Sequence, residues 1–378
     1  MTSPETTQLR LSSGNGPITR TILSTPIRAA LPHEIPIIDV SPVFSPSLDL
    51  RRTVASQIRQ AATTNGFFYI TNHGIAPATT AAAHAAALAF FRRPAAAKEP
   101  ANQARSAYHR GWKPPATQRV NPFESVDVRE TFSVRYDPQY DAAVADVSAI
   151  PRHIMDSIEL DADDFPWSAT PPQFKRDCTR ALSEVITLAR ALLRSFALAL
   201  ELEETALDDK FTHPDVGMAL NYYPSLPPSP PATPRATPQP KEDSETVSIG
   251  SHTDFQLFTL LSQDSVGGLQ VLSRSGQWLH ATPVPGTFVV NFGDYMQRIT
   301  NDMFPSTVHR VQNRSGGERL SMAFFFGFNL NESCEVLESC VQAGEERRYE
   351  AISCKEWTRR RLHAMHDVKE AGEVGRLY

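Results

Sequence analysis

The sequence predicts a mainly β fold with flanking helices: a double-stranded β-helix (jelly roll) core with an N-terminal α/β cap. Three observations carry this prediction. Short apolar strands alternate with Gly/Pro turns between Leu269 and Phe292, a spacing typical of a β-sandwich or jelly roll. Apolar residues recur at helical spacing over Phe174–Leu207, which predicts one long helix that backs a sheet. A strand, a helix and a second strand are predicted between Ile35 and Thr71.

The chain of 378 residues divides into four predicted regions. Residues 1–31 are rich in Ser and Thr, and we expect a disordered or loosely ordered tail. Residues 32–170 form the cap, residues 171–348 form the jelly-roll core with its backing helix, and residues 349–378 form a basic C-terminal helix. Within the core, residues 225–247 are a Pro-rich insertion whose composition predicts a mobile loop, either a lid or an inert surface segment.

The cap begins with a short apolar strand at Ile35–Val40. An amphipathic helix is predicted over Asp49–Thr64, because its apolar residues repeat every three to four positions. Gly66 ends this helix, and the apolar run Phe67–Thr71 is predicted to be a buried strand. A second, Ala-rich helix begins near Pro77, a residue that suits the first turn.

Three later segments complete the element prediction. Tyr108–Pro115 is aromatic and rich in turn residues. Asp127–Val134 is predicted to be a strand because polar and apolar residues alternate along it, and Met218–Tyr223 is predicted to be another.

Three side chains are spaced as ligands of one metal ion. His252 and Asp254 are two positions apart, so at the end of a strand they share one face. His309 lies in a second β-prone segment and is the best candidate for a third ligand. Two His and one carboxylate on one face of an octahedron are the facial triad of non-haem Fe(II) sites, which leaves positions open for other ligands. The sequence therefore predicts an iron site.

Zinc is the competing metal for such a ligand set. Zinc hydrolases that use two His and a carboxylate usually carry the His residues four positions apart on a helix, with a Glu beside the first. The sequence contains no His-Glu-x-x-His, so iron is favoured.

The strand that begins at Arg319 adds a binding site for an anion. Alternation places Arg319, Ser321, Ala323 and Phe325 on one face. A guanidinium beside a hydroxyl suits bidentate capture of a carboxylate, and a buried Arg is costly without an anion. A small carboxylate-bearing molecule is therefore expected near the metal.

These residues belong to a set of motifs that resembles a known family. The chain resembles the isopenicillin-N-synthase-like branch of the Fe(II)/2-oxoglutarate-dependent dioxygenases over roughly residues 35–329, and its Pro/Ser-rich insertion is similar to fungal biosynthetic members. The matching motifs are Asn221-Tyr222-Tyr223-Pro224, His252-Thr253-Asp254, Gly267-Gly268-Leu269-Gln270-Val271, Asn291-Phe292-Gly293-Asp294, His309-Arg310-Val311 and Arg319-Leu320-Ser321.

The resemblance implies an oxygenase that uses Fe(II), with 2-oxoglutarate and O₂ as co-substrates. His252, Asp254 and His309 would be both the catalytic residues and the metal ligands, and the 2-oxoglutarate contacts would be Arg319, Ser321, Asn221 and Tyr223. Two alternatives stay open: an Fe(II) oxidase of the same fold that needs no 2-oxoglutarate, and a non-catalytic binding protein.

The expected substrate is a small, largely apolar organic molecule of specialised metabolism, which is hydroxylated, desaturated or rearranged at a ring. The resemblance implies Phe325 as a substrate contact, and the other candidates are Tyr108, Trp112 and Ala219.

Composition excludes several other classes of function. The formal charge is −5 and no basic patch occurs, which argues against nucleic acid. The sequence has no secretory signal and no apolar run long enough to span a membrane. The four Cys show no C-x-x-C spacing. We therefore expect a cytoplasmic protein, monomeric or homodimeric, whose partner is a small molecule.

Overall fold

A computed structural model describes residues 5–160, 165–226 and 247–366. The strands follow in chain order: β1 (Thr6–Leu11), β2 (Ile18–Leu23), β3 (Arg28–Ala29), β4 (Ile37–Asp39), β5 (Phe67–Thr71), β6 (Gly111–Lys113), β7 (Glu130–Arg135), β8 (Val216–Tyr223), β9 (Ile249–His252), β10 (Phe258–Gln263), β11 (Leu269–Leu272), β12 (Trp278–His280), β13 (Phe288–Phe292), β14 (His309–Val311), β15 (Arg319–Phe326), β16 (Ser333–Cys334) and β17 (Ile352–Ser353).

The helices flank these strands. They are α1 (Leu48–Thr64), α2 (Pro77–Phe91), α3 (Ala95–Lys98), α4 (Arg152–Met155), α5 (Pro172–Ala199), α6 (Asp294–Ile299) and α7 (Cys354–His366). None of the helices in the described part of the chain has the length and apolar character needed to cross a membrane.

Two sheets form the centre of the molecule. The larger has eight strands in the order β4-β5-β13-β10-β15-β8-β7-β6, and the smaller has five in the order β3-β12-β11-β14-β9. Most neighbouring strands are antiparallel, as in a jelly roll.

Two apolar cores follow from this layering. The larger core lies between the outer face of the eight-stranded sheet and helices α1, α2 and α5. The smaller core lies between the two sheets, where Phe67 and Tyr223 of the large sheet meet Val271 and Val311 of the small sheet. The predicted mainly β core with flanking helices is confirmed.

The predicted disorder of residues 1–31 is wrong for the described part of this segment. Strands β1 and β2 pair as an antiparallel hairpin. Leu11 is buried against Leu272, Trp278 and Val308, so the hairpin covers the back of the small sheet. The Ser/Thr-rich composition suggested disorder, but Thr favours strands, and the interleaved Leu and Ile residues supply an apolar face.

The backing helix is shorter than predicted. It ends at Ala199 rather than at Leu207, because Glu201 takes a left-handed conformation with φ of 61°. The amide of Leu202 then donates to the carbonyl of Ala197 at 3.0 Å, a bond that closes helix ends of this type. This end usually carries Gly, and the sequence offers none here.

The C-terminal helix and the Pro-rich insertion are the two remaining regions of the predicted division of the chain. The C-terminal helix α7 begins at Cys354, and its basic residues Arg359 and Arg360 pair with Glu356 at the surface. The predicted mobile insertion, residues 225–247, lies mostly outside the described residues. The four-region division stays a prediction.

Candidate active site

His252, Asp254 and His309 converge at the edge of the small sheet. His252 ends β9 and pairs directly with His309, the first residue of β14, while Asp254 lies in the turn after β9. The Nε2 atoms of both imidazoles lie 3.7 Å from Asp254 Oδ1. The ligand atoms of the three residues all lie within 4.8 Å of one another. The strand pairing therefore brings together the three residues that the spacing predicted.

Backbone carbonyls orient both imidazoles. Nδ1 of His252 lies 2.8 Å from the carbonyl oxygen of Gly250, and Nδ1 of His309 lies 3.1 Å from that of Thr307. A carbonyl oxygen only accepts, so each Nδ1 carries the proton. Each Nε2 is left as a lone-pair donor that faces Asp254, the arrangement usual for metal-binding His.

The two oxygens of Asp254 have separate partners. Oδ2 accepts hydrogen bonds from Thr259 Oγ1 at 2.6 Å and from Asn291 Nδ2 at 2.7 Å. Oδ1 faces the two imidazoles. Thr259 and Asn291 lie opposite each other on β10 and β13, so the large sheet positions the carboxylate.

The charge states of these groups suit a cation. Burial and the neighbouring His309 lower the pKa of His252 to about 3, so its imidazole is neutral at pH 7. Burial by itself raises the pKa of Asp254, but His309 and His252, with the hydrogen bonds from Asn291 and Thr259, outweigh burial and hold that pKa below its ordinary value. Two imidazole nitrogens and one carboxylate are a donor set that fits Fe(II).

A buried guanidinium lies deeper between the sheets. Arg319 is 1 % exposed, and its guanidinium carbon lies 4.7 Å from the centre of the Tyr223 ring. Its hydrogen bonds are long: 3.4 Å to Ser321 Oγ and 3.3 Å to Gln263 Oε1, while Nε has no partner among the described residues. No described carboxylate forms an ion pair with it. A buried cation with such partners is a site for an anion.

Strand register places this guanidinium in a row of polar side chains that faces the space between the two sheets, which is called the cavity below. Ser321 pairs with Gln263 on one side and with Asn221 on the other, and the row continues through Thr131 to Lys113 at the edge of the sheet. Directly paired residues of a sheet point to the same face. One polar row therefore crosses the inner face of the large sheet.

Asn221 and Tyr223, for which the resemblance implies contacts to 2-oxoglutarate, both lie on this inner face. Tyr223 Oη lies 3.4 Å from Ser321 Oγ, beside Arg319. Asn221 Oδ1 accepts hydrogen bonds from Arg129 Nη1 and from Thr131 Oγ1, and its contact with 2-oxoglutarate stays a prediction. Asn221 therefore links the anion site to a second buried Arg.

The four residues predicted to contact the substrate lie in three different parts of the structure. Ala219 and Phe325 lie on the inner face of the large sheet, and both keep some exposure to the cavity. Tyr108 lies in the turn before β6 and is partly exposed.

Trp112 is not on the cavity side, contrary to the prediction. It pairs with Phe132, which pairs with Leu220, and all three belong to the core between sheet and helices. The alternation of β6 turns Trp112 outward, and its Nε1 donates to Glu130 at 2.7 Å.

Sequence reasoning missed several residues of the site. Thr259 was a polar residue within an apolar strand, and Asn291 was noted only as part of a motif. Arg129 continues the polar side of β7, on which Thr131 and Ser133 alternate with apolar neighbours. A polar residue on the inward side of a strand was the available signal in all three cases.

The chain matches known proteins over most of its length. Residues 214–328 match the profile of the 2OG-Fe(II) oxygenase superfamily, and residues 35–153 match that of the non-haem dioxygenase in morphine synthesis N-terminal region. The 2-oxoglutarate-Fe(II) type oxidoreductase ppzC of Metarhizium majus is 50 % identical over 370 residues, 98 % of each chain. The 2-oxoglutarate-Fe(II) type oxidoreductase hxnY of Emericella nidulans is 33 % identical and covers 87 % of this chain and 89 % of its own.

A solved structure agrees with these matches. The crystal structure of full-length Neurospora crassa T7H in complex with alpha-KG superposes with a TM-score of 0.71 at 26 % identity, over 90 % of this chain and 99 % of that one. The jelly-roll prediction is thereby confirmed. The chain belongs to the 2OG-Fe(II) oxygenase superfamily, as an Fe(II)- and 2-oxoglutarate-dependent dioxygenase.

Proposed function

We propose that His252, Asp254 and His309 hold the Fe(II) ion and that Arg319, Ser321 and Tyr223 bind the distal carboxylate of 2-oxoglutarate. One observation carries this proposal: three metal-competent ligands and an unneutralised buried guanidinium face the same space between the two sheets. When bound, the iron with 2-oxoglutarate and O₂ supplies the oxidation of a C–H bond.

The protein's own residues orient and shield this chemistry. The carbonyls of Gly250 and Thr307 hold the imidazoles, while Thr259 and Asn291 hold the carboxylate. The apolar residues around Tyr223 close the far end of the cavity, which strengthens the attraction between Arg319 and a carboxylate.

The substrate is a small organic molecule with a largely apolar body, oxidised as part of specialised metabolism. The apolar body of the substrate is inferred from the apolar side chains on the inner face. These are Ala219, Ala323 and Phe325, which are neighbours in the register of β8 and β15. The names of the fungal relatives support an oxidoreductase role of this kind. The outcomes within this class are hydroxylation, desaturation and ring rearrangement, and product analysis distinguishes them.

The protein acts in the cytoplasm, as a monomer or homodimer, without a nucleic-acid or membrane partner. The cysteines Cys178, Cys334, Cys340 and Cys354 are free and buried, which supports a reducing compartment.

The test is an anaerobic titration of the metal-free protein, first with Fe(II) and then with 2-oxoglutarate. The chelate gives a weak visible charge-transfer band, and we expect this band in the wild type and its loss in Asp254→Ala. We expect Arg319→Met to raise the 2-oxoglutarate concentration needed by about 10- to 100-fold, because charge-assisted hydrogen bonds to the carboxylate are lost. Arg152→Met, at an exposed position, is the control.

Each other outcome contradicts part of the proposal. A band that persists in Asp254→Ala refutes the ligand set. Fe(II) binding without a band favours the oxidase that needs no 2-oxoglutarate. Absence of metal binding favours a non-catalytic binding protein.

A further inference from the structure

Lys113 is a partly buried cation on the inner face of the large sheet. It ends β6 and pairs with Thr131, while its neighbour Trp112 points outward, so alternation turns Lys113 inward. No described residue offers its ammonium a hydrogen bond or an ion pair. Burial, followed by the charge of Arg129, lowers its pKa. Thr131, the partner of Lys113, is two positions from Arg129, so strand register places the ammonium on the same face as a second cation.

Arg129 is that second cation. It immediately precedes β7, is 8 % exposed, and donates from Nη1 to Asn221 Oδ1. Its Nε has no partner among the described residues. Its hydrogen bond to Asn221, which pairs with Thr131 in the polar row, places the guanidinium on the inner face of the large sheet.

The nearby carboxylates balance the charge of this pair of cations only in part. Asp127 is fully buried, and its Oδ1 accepts from the amide of Gly250 at 3.1 Å. Its other oxygen lies 3.5 Å from Arg129 Nη2, which is long for an ion pair that donates a hydrogen bond. The carboxylate of Glu124 accepts a hydrogen bond from the amide of Ser251. Asp127 is therefore one carboxylate beside two cations, Arg129 and Lys113, and it balances only one of their two charges.

The co-substrate does not supply the missing anion. In the proposed function, one carboxylate of 2-oxoglutarate lies on the metal and the other on Arg319. Glu130 of β7 pairs with Tyr222 of β8, so the preceding residue, Arg129, lies beside Tyr223. On its other side, Tyr223 pairs with Arg319 of β15. Two strand spacings, about 10 Å, separate the backbones of the two arginines. The cations at Lys113 and Arg129 are thus left for a different molecule.

We propose, on the basis of the function above, that Lys113 and Arg129 bind a carboxylate of the substrate. The substrate then has an apolar body that lies along Ala219 and Phe325 and an anionic end held at strands β6 and β7. This anchor selects which carbon of the body faces the metal, so Lys113 and Arg129 determine specificity.

The test compares acids with their amides as probes. Phenylacetate, 3-phenylpropanoate and cyclohexanecarboxylate are each paired with the corresponding primary amide. Binding to the protein loaded with Zn(II) and 2-oxoglutarate is measured by saturation-transfer NMR, which requires no turnover. We expect the acid of at least one pair to bind tighter than its amide. We expect Lys113→Met to reduce that preference by about tenfold, because a charged hydrogen bond is lost.

Two variants control the interpretation. Lys113→Arg keeps the charge and is expected to keep most of the preference for the acid. Lys355→Met removes an exposed lysine of α7 and is expected to have no effect. Lys113→Met is chosen over substitutions of Arg129 because the Lys113 side chain forms no hydrogen bond with the described residues, whereas Arg129 donates to Asn221.

The outcomes separate this inference from the proposed function. Equal binding of acid and amide in every pair, or an unchanged preference in Lys113→Met, overturns it. A loss of the 2-oxoglutarate band in Lys113→Met assigns these cations to the co-substrate and also overturns it. If the wild type with Fe(II) and 2-oxoglutarate shows no charge-transfer band, the proposed function is refuted instead. The two results are independent, because the preference for the acid is measured on the Zn(II) form.

Discussion

At the scale of single residues, the two oxygens of Asp254 have separate tasks. Thr259 and Asn291 occupy Oδ2, so Oδ1 is left for a cation between the two imidazoles. A carboxylate held by two donors cannot rotate freely, and this reduces the entropy lost when a metal binds. Both donors lie on the large sheet, although the carboxylate itself follows a strand of the small sheet.

This arrangement predicts the effect of removing one hydroxyl. Thr259→Val keeps the shape of the side chain but removes the donor to Asp254. We expect Fe(II) affinity to fall by about tenfold, the lower end of the range for partners of metal ligands. Anaerobic Fe(II) titration measures this. Thr259→Ser, which keeps the hydroxyl, should retain most of the affinity, and equal affinities in the Val and Ser variants would contradict the role of the hydrogen bond.

At the scale of elements, two helices hold from behind the turn that carries Asp254, a proposed metal ligand. The amide of Asp294, at the start of α6, donates to the carbonyl of Asp254 at 2.8 Å. From α7, Trp357 Nε1 donates to the carbonyl of Phe255 at 2.7 Å. Arg361 is 1 % exposed and lies over the ring of Phe255. The backbone on both sides of Asp254 is thereby fastened to helices.

Close packing limits substitution behind the same turn. A Cβ atom added at Gly293 would lie 2.4 Å from the carbonyl oxygen of Gln256 and 3.0 Å from that of Asp254. Both neighbours are backbone atoms of the turn, so they could not move without shifting the metal ligand. This explains why the motif at residues 291–294 carries Gly at its third position.

Arg361 supports a prediction about stability. Its Nε lies 2.9 Å from Asp294 Oδ2, without the alignment of a hydrogen bond, and burial raises the pKa of Asp294 against the opposing charge of Arg361. Arg361→Met leaves that carboxylate buried without a cation. We expect the free energy of unfolding to fall by about 3–5 kcal/mol. Urea denaturation of the metal-free protein measures it.

The neighbouring arginine is a matched control for this prediction. Arg360 is about half exposed and pairs with Glu356 at the surface. Exposed ion pairs contribute at most about 1 kcal/mol, so Arg360→Met should change the stability little. Equal effects of the two substitutions would mean that α7 does not support the turn through Arg361.

At the scale of the whole molecule, the site joins the two sheets. His252 and His309 belong to the small sheet, whereas Tyr223, Arg319 and Ser321 belong to the large sheet. A ligand that contacts both groups ties the sheets together across the smaller core. Binding of that ligand is therefore expected to oppose separation of the sheets during unfolding.

This geometry predicts that iron and 2-oxoglutarate stabilise the protein cooperatively. A ligand present at 100 times its Kd stabilises the folded state by about 2.7 kcal/mol. We expect the rise in Tm with both ligands to exceed the sum of the separate rises, because the bound metal increases the affinity for 2-oxoglutarate. Anaerobic differential scanning calorimetry measures this. In Arg319→Met, the rise in Tm with both ligands should equal the sum of the separate rises. If the rises are also additive in the wild type, the bridging arrangement is contradicted.

Much of the fold and the site could be read from periodicity and spacing. The apolar stripe from Leu182 to Leu200 predicted the buried face of α5, and all of its predicted residues are buried. The alternation from Arg319 to Phe325 predicted the inner face of β15. These patterns are local, since side chains of a strand or helix point in directions that the backbone repeat fixes.

The failures have an equally physical origin. Trp112 is aromatic and near the right strand, but only its pairing with Phe132 shows that it faces the helices. The N-terminal hairpin depends on Leu11 finding Leu272 and Trp278, which are distant in the sequence. The end of α5 depends on a non-glycine residue in a left-handed conformation, and local preference does not predict it.

The sequence by itself determined the chemistry of this protein: two imidazoles, a carboxylate and a guanidinium at spacings that suit a metal and a dicarboxylate. Only the tertiary structure decided which other residues share that space. Strand register brings Thr259 and Asn291 to Asp254 and places Lys113 and Arg129 in one polar row. Helix packing brings Arg361 behind the turn, beside Thr253. Such contacts depend on how distant elements pair, and no local repeat in the sequence records that pairing.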